Sequence, residues 1–143
     1  MRIGVVGYSK QIFEADIAQS LIQQAFDAIA MKKNIEVIEV VSGLTQLGIP
    51  ALAYQEAVRR GWKTVGVACR KALDYRCFPV DQRIIVGRNW GDESQTFLDM
   101  IDVLLRFGGG QQAHFECLLA QEQGKQVIEF ELRSICAIPS LTC

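Results

Sequence analysis

Three consecutive glycines, Gly108, Gly109 and Gly110, separate an apolar run, Asp102 to Phe107, from a helix-like run that opens at Gln111. That second run carries an acid, Glu116, six positions after the last glycine. Glycine lets the main chain approach a ligand closely, and the free N–H groups and dipole of a helix N-terminus favour an anion. A strand emptying through glycines into a helix is thus expected to cradle phosphate or carboxylate, with Gly108, Gly109, Gly110, Gln111 and Gln112 around it. Glu116 falls past the first turn, beside such a ligand. An acid beside an anion cradle is an arrangement that can cut a phosphorylated small molecule. The plainer alternatives are a tight turn without a ligand for the glycines and a solvated or ion-paired helix residue for Glu116.

Two other loops carry glycine and small polar groups after apolar runs. They are Gly7-Tyr8-Ser9 and Ser42-Gly43-Leu44-Thr45. Gly7, Ser9, Ser42, Gly43 and Thr45 are candidate ligand contacts, with Gln46 a further donor. Ser9 also reads as a helix N-cap. Arg106, just before the glycines, is either an anion partner or a paired strand-end arginine. The polar segment Arg88 to Ser94 contains Trp90, which suits stacking on a base or simple burial at an edge. His114 lies two residues from Glu116, so the two side chains point differently on a helix.

Positioning these groups requires strands that alternate with helices. The apolar runs predict strands over 2–7, 35–41, 63–69, 82–86, 102–107 and 126–132. Helical spacing predicts helices over 11–31, from Pro50 to Arg60 with Gly61 as C-cap, over 93–100 with Asp92 as cap, and over 111–123 closed by Gly124. Residues 70–79 read as one short helix and a turn. Alternation of this kind implies a largely parallel sheet with helices on both faces, and ligands beyond the carboxyl ends of the strands.

At 143 residues, half of them hydrophobic and 22% charged, the chain suits one domain with a real core. A net charge of −1 gives no electrostatic case for nucleic acid. No apolar run is long enough to span a bilayer, and no signal-peptide layout precedes Arg2, so a cytoplasmic protein is expected. Five cysteines without a C-x-x-C pair read as reduced, structural thiols. A catalytic cysteine paired with His114 is disfavoured. The expected set contains no metal site and no cofactor.

The segment Asp102–Glu116, with its Gly-Gly-x-x-x-x-x-Glu spacing, resembles the strand and PGGxGTxxE motif of the LONELY GUY and lysine decarboxylase-like proteins. Ser42–Ala57 (SGLTQLGIPALAYQEA) is similar to the second glycine loop of the same superfamily, and to the SGLARGID loop of the DNA-processing protein A family. The resemblance implies that 1–143 form one Rossmann-like nucleotide-binding domain, a three-layer sandwich of about six strands; 133–143, with Pro139 and no clear period, read as an extended or loose tail. It implies a nucleotide or other phosphorylated small molecule as partner, and a homodimer or higher oligomer. Enzymatic members are phosphoribohydrolases that cleave the base from a nucleoside 5'-monophosphate. By motif position Gly109 and Gly110 hold phosphate and Glu116 is catalytic. Three residues depart from the motif: Gly108 replaces proline, Gln112 the third glycine and Ala113 the threonine. The arginine that the enzymes carry on the preceding helix falls near Glu93, with Arg88 and Arg106 the nearest cations. These departures favour a non-catalytic sensor or carrier, with the phosphoribohydrolase as the alternative.

Overall fold

The computed structural model describes residues 1–32 and 37–135. Its strands are β1 (Arg2–Gly7), β2 (Glu39–Ser42), β3 (Lys63–Ala68), β4 (Gln82–Ile85), β5 (Val103–Phe107) and β6 (Gln126–Phe130). Its helices are α1 (Ala15–Ala30), α2 (Gly48–Arg60), α3 (Ser94–Met100) and α4 (Gln111–Glu122), with a 3-10 turn over Arg70–Asp74. The strands form one parallel sheet in the order β4-β3-β2-β1-β5-β6.

The alternation of side chains along each strand feeds two cores. Ile3, Val5, Val40, Val103, Leu105 and Phe107 pack with Ala18, Ile22 and Phe26 of α1 and Ala53 and Ala57 of α2. Val6, Val41, Val65, Val67 and Leu104 pack with Phe97 and Leu98 of α3 and Ala113, Cys117 and Ala120 of α4. The result is a three-layer α/β sandwich, as expected. Chain direction across the sheet reverses between β1 and β5, whose ends pair as Gly7 with Phe107. That switch point is where a doubly wound sheet opens a ligand crevice.

Several boundaries differ from the sequence expectations. Helix α1 starts at Ala15 with Glu14 at its N-cap, so Ser9 caps nothing. Ile12 and Phe13 extend the apolar spacing, but they belong to a segment docked on the chain's later part, with Phe13 bridged to Ser134. Asp92 does not cap α3; Glu93 holds that position without a side-chain cap bond. The Asp92 carboxylate instead accepts the backbone N–H groups of Arg88 and Asn89, both at 3.0 Å. The second strand runs over Glu39–Ser42, while 35 and 36 of the expected strand lie outside the described residues, as do 136–143 of the expected tail. The helix ends behaved as their glycines indicate: Gly61 caps α2 at φ +76° and Gly124 follows α4 at φ +78°.

Candidate functional site

The three glycine-bearing loops meet at the carboxyl ends of β2, β1 and β5. A Cβ on Gly109 would lie 3.1 Å from the Gly7 backbone and 2.8 Å from Ala113 Cβ. A Cβ on Gly48 would lie 2.3 Å from the Tyr8 carbonyl oxygen, which accepts the Ile49 N–H at 2.8 Å. The second loop is tied down by Tyr54, whose hydroxyl sits 2.7 Å from the Gly43 carbonyl oxygen and 3.0 Å from that of Val65. Burial pushes that phenol well above its ordinary range, so it stays a neutral donor.

The glycine turn is shaped by the protein itself as well as by any ligand. Gly108 (φ +62°) and Gly109 (φ +104°) take left-handed backbone, where an L side chain is strained. A Cβ on Gly108 would fall 2.4 Å from the Tyr8 ring and 3.0 Å from Leu132. Gly110 differs: at φ −97° it is the N-cap of α4 and leaves the first N–H groups of that helix without a side-chain acceptor.

The other candidates divide by accessibility. Ser9, Gln111 and Gln112 are exposed on the rim, while Gly7, Gly43 and Thr45 are half-buried. Thr45 Oγ1 accepts the Leu47 N–H at 3.2 Å, closing its own turn. Ser42 is buried and donates its hydroxyl to the Val5 carbonyl at 2.6 Å, so it joins β2 to β1 rather than facing the crevice.

Arg106 is ion-paired rather than open to an anion. It is 2% exposed, donates to Glu129 at 2.9 Å and Glu131 at 2.5 Å, and holds the Gly108 carbonyl at 2.9 Å. It therefore shapes the glycine turn from below. His114 is exposed. Cys117 is buried, and burial pushes its thiol up to about 11, which removes the thiolate a nucleophile needs. No group of three or more His, Cys, Asp or Glu able to hold a metal gathers among the described residues.

Glu116 is buried behind the turn, on the face of α4 that meets α3. Burial pushes its carboxyl up to about 7, the neighbouring Glu93 charge adds to this, and a hydrogen bond with Ser94 partly opposes it. Glu93 is also buried. Its Oε2 accepts the Gly91 N–H at 3.1 Å, and its Oε1 lies 3.5 Å from Gln112 Nε2. Where the resemblance calls for an arginine, this chain thus places a second acid. No ion pair among the described residues reaches either carboxylate. Spacing pointed to position 93, but the meeting of the two acids depends on how α3 packs on α4.

A polar cavity of about 410 Å³ lies at the opposite rim, at the amino ends of β2, β3 and β4. Asp81, on its wall, is already bound to the Thr64 N–H at 2.8 Å and hydroxyl at 3.2 Å. The switch point, with the N-terminus of α4 and its first N–H groups at the edge, is the better placed candidate site.

A parallel, doubly wound sheet with glycine loops around its switch point defines a Rossmann-like α/β protein with a candidate anion site. Solved structures share this fold. The X-ray structure of TM1055, a Northeast Structural Genomics Consortium target, superposes with a TM-score of 0.68 at 22% identity, covering 88% of this chain and 71% of that one. The molybdenum cofactor carrier protein of Chlamydomonas reinhardtii superposes with a TM-score of 0.71 at 23% identity, covering 90% of this chain and 74% of that one. Both likenesses are at the level of fold, and they agree with the Rossmann-like architecture expected from the sequence. No protein-family profile and no curated protein matches the sequence.

Proposed function

We propose that this chain binds a nucleotide or another phosphorylated small molecule at the carboxyl ends of β1 and β5 and holds it without cleaving it, as a sensor or carrier in the cytoplasm. The observation that carries the reading is the buried pair of Glu93 and Glu116 where an arginine and a glutamate are expected of a hydrolase. Arginine beside the glutamate would keep it ionised and neutralise a phosphorylated substrate. A second acid does the reverse. Burial, with the Glu93 charge adding to it, keeps Glu116 half-protonated near pH 7, and a neutral carboxyl stabilises an oxocarbenium-like state poorly. The N-terminus of α4 still offers N–H groups and dipole to phosphate. The Chlamydomonas protein of the same fold is named for carrying a cofactor, which agrees with binding without turnover.

One observation favours the phosphoribohydrolase. A buried carboxyl at about 7 is well matched to passing a proton to a leaving base at neutral pH. The two readings separate in one experiment. Nucleoside monophosphates are screened by thermal shift against wild type and Gly110→Asp, then incubated and assayed for free base. Asp at position 110 suits both the φ of −97° and the N-cap and sets a negative charge in the cradle, with circular dichroism as the check that the variant folds. Stabilisation of wild type only, without base release, is the expected result. Base release that Glu116→Ala abolishes establishes the enzyme, and no shift with any monophosphate defeats both readings.

A further inference from the structure

The connection from β4 to α3 holds an aromatic group outward on a pinned backbone. The Asp92 carboxylate accepts the N–H groups of Arg88 and Asn89, and the Asp92 N–H donates to the Asn89 carbonyl at 3.0 Å. Gly87 sits so close to Asp92 that a Cβ there would fall 2.3 Å from Asp92 Cβ. The Gly87 carbonyl accepts the Arg70 N–H at 3.1 Å, which ties this loop to the 3-10 turn after β3. Trp90 rides on the closed loop and is 53% exposed. Tryptophan is highly buried on average, so an ordered loop that presents one to water calls for a reason.

Its surroundings supply one. Trp90 leans on Tyr75, itself 67% exposed, with ring centroids 6.1 Å apart at 50°. The tilt leaves no slot between the rings, so a ligand ring takes the free face of Trp90. The exposed cations Arg70, Lys71, Arg76 and Arg88 stand on the same two connections. The loop also runs straight to the crevice: the Gly91 N–H holds Glu93, and Glu93 faces Gln112 on the first turn of α4. Three residues of chain span at most about 10 Å, so Trp90 lies within that distance of Glu93, whose carboxyl faces Gln112 on the first turn of α4.

We propose that the free face of Trp90 stacks on a planar heteroaromatic ring, of the nucleobase kind, belonging to the ligand whose phosphate the α4 N-terminus holds. This deepens the phosphate reading above and rests on it for the other end of the ligand. Trp90 is then the specificity-determining residue that separates a base-bearing phosphate from a sugar phosphate. Stacking is tolerant of base identity, because every base has a π-face.

Tryptophan fluorescence tests this directly. The other tryptophan, Trp62, packs on Phe26 at 5.3 Å and lies against the Arg60 guanidinium, so Trp62→Phe leaves Trp90 as the sole reporter. AMP, GMP, CMP and UMP are titrated beside ribose 5-phosphate, which lacks the ring, and adenosine, which lacks the phosphate. Quenching by the monophosphates but not by ribose 5-phosphate is expected; calorimetry, which needs no tryptophan, is expected to give an affinity loss of about tenfold in Trp90→Ala and about the same loss for ribose 5-phosphate against AMP in wild type. Ribose 5-phosphate binding as tightly as AMP, with Trp90→Ala unchanged, overturns the stacking role and leaves the phosphate reading standing. Quenching by adenosine that survives Gly110→Asp, with no effect of phosphate, supports the stacking face and defeats the cradle. No quenching by any of the probes overturns the proposal.

Discussion

At the scale of single residues, the decisive feature is the carboxyl of Glu116. Its pKa of about 7 in the folded protein stands above the ordinary 4.5. Folding therefore takes up a proton between those values, and stability falls as pH rises from about 4.5 to about 7. The shift corresponds to about 3 kcal/mol at most, the cost of a charge held in a buried site beside Glu93. Glu116→Gln removes that cost. Its melting temperature is expected to exceed that of wild type by several degrees at pH 8, the gap closing towards pH 5; a gap constant with pH would show that Glu116 titrates normally. The same proton controls the ligand. Affinity for a phosphate monoester is expected to fall more steeply above pH 7 in wild type than in Glu116→Gln, because the ionised acid repels the anion. Titration of both proteins with one ligand cancels the ligand's own ionisation.

At the scale of elements, the turn between β5 and α4 is built by local strain that packing sustains. Gly108 and Gly109 combine positive φ with space already filled by Tyr8, Leu132, Gly7 and Ala113. Ala at either position is expected to cost about 2 kcal/mol or more in a urea melt, from backbone strain alone. Gly43→Ala is the control: nothing lies within 4 Å of its Cβ, so a change of no more than about 0.5 kcal/mol is expected. Arg106 is the third support. Its loss in Arg106→Leu strands the buried Gly108 carbonyl, for about 1–3 kcal/mol of destabilisation. The solvated partners Glu129 and Glu131, 40% and 84% exposed, lose little.

At the scale of the whole molecule, α4 shows water a pair of large apolar side chains one turn apart, Phe115 at 56% exposure and Leu118 at 60%. The homodimer implied by the family resemblance would cover them. Phe115→Lys with Leu118→Lys is expected to turn a dimer into a monomer of unchanged fold, measured by light scattering and circular dichroism. If the wild type is already monomeric, this part of the reading is withdrawn. No helix among the described residues is long and apolar enough to cross a membrane.

Much of this architecture was legible because it follows from short-range rules. Strand β1 ends where its apolar run meets Gly7, and α2 ends where Gly61 adopts the left-handed cap. Alternating strands and helices then leave few topologies, and the parallel sheet is one of them. The start of α1 is not legible in the sequence because Ile12 keeps helical spacing while it and Phe13 serve long-range contacts with the chain at Ser134 and Ile135. By itself the sequence determined the element order, the glycine turn before α4 and the rim on which a ligand would sit, since periodicity and backbone freedom are properties of neighbouring residues. Only the tertiary structure decided which charges meet. It gave Arg106 to Glu129 and Glu131 and set Glu93 beside Glu116, because such pairings depend on helices and strands packing within a few ångströms, which local pattern does not encode.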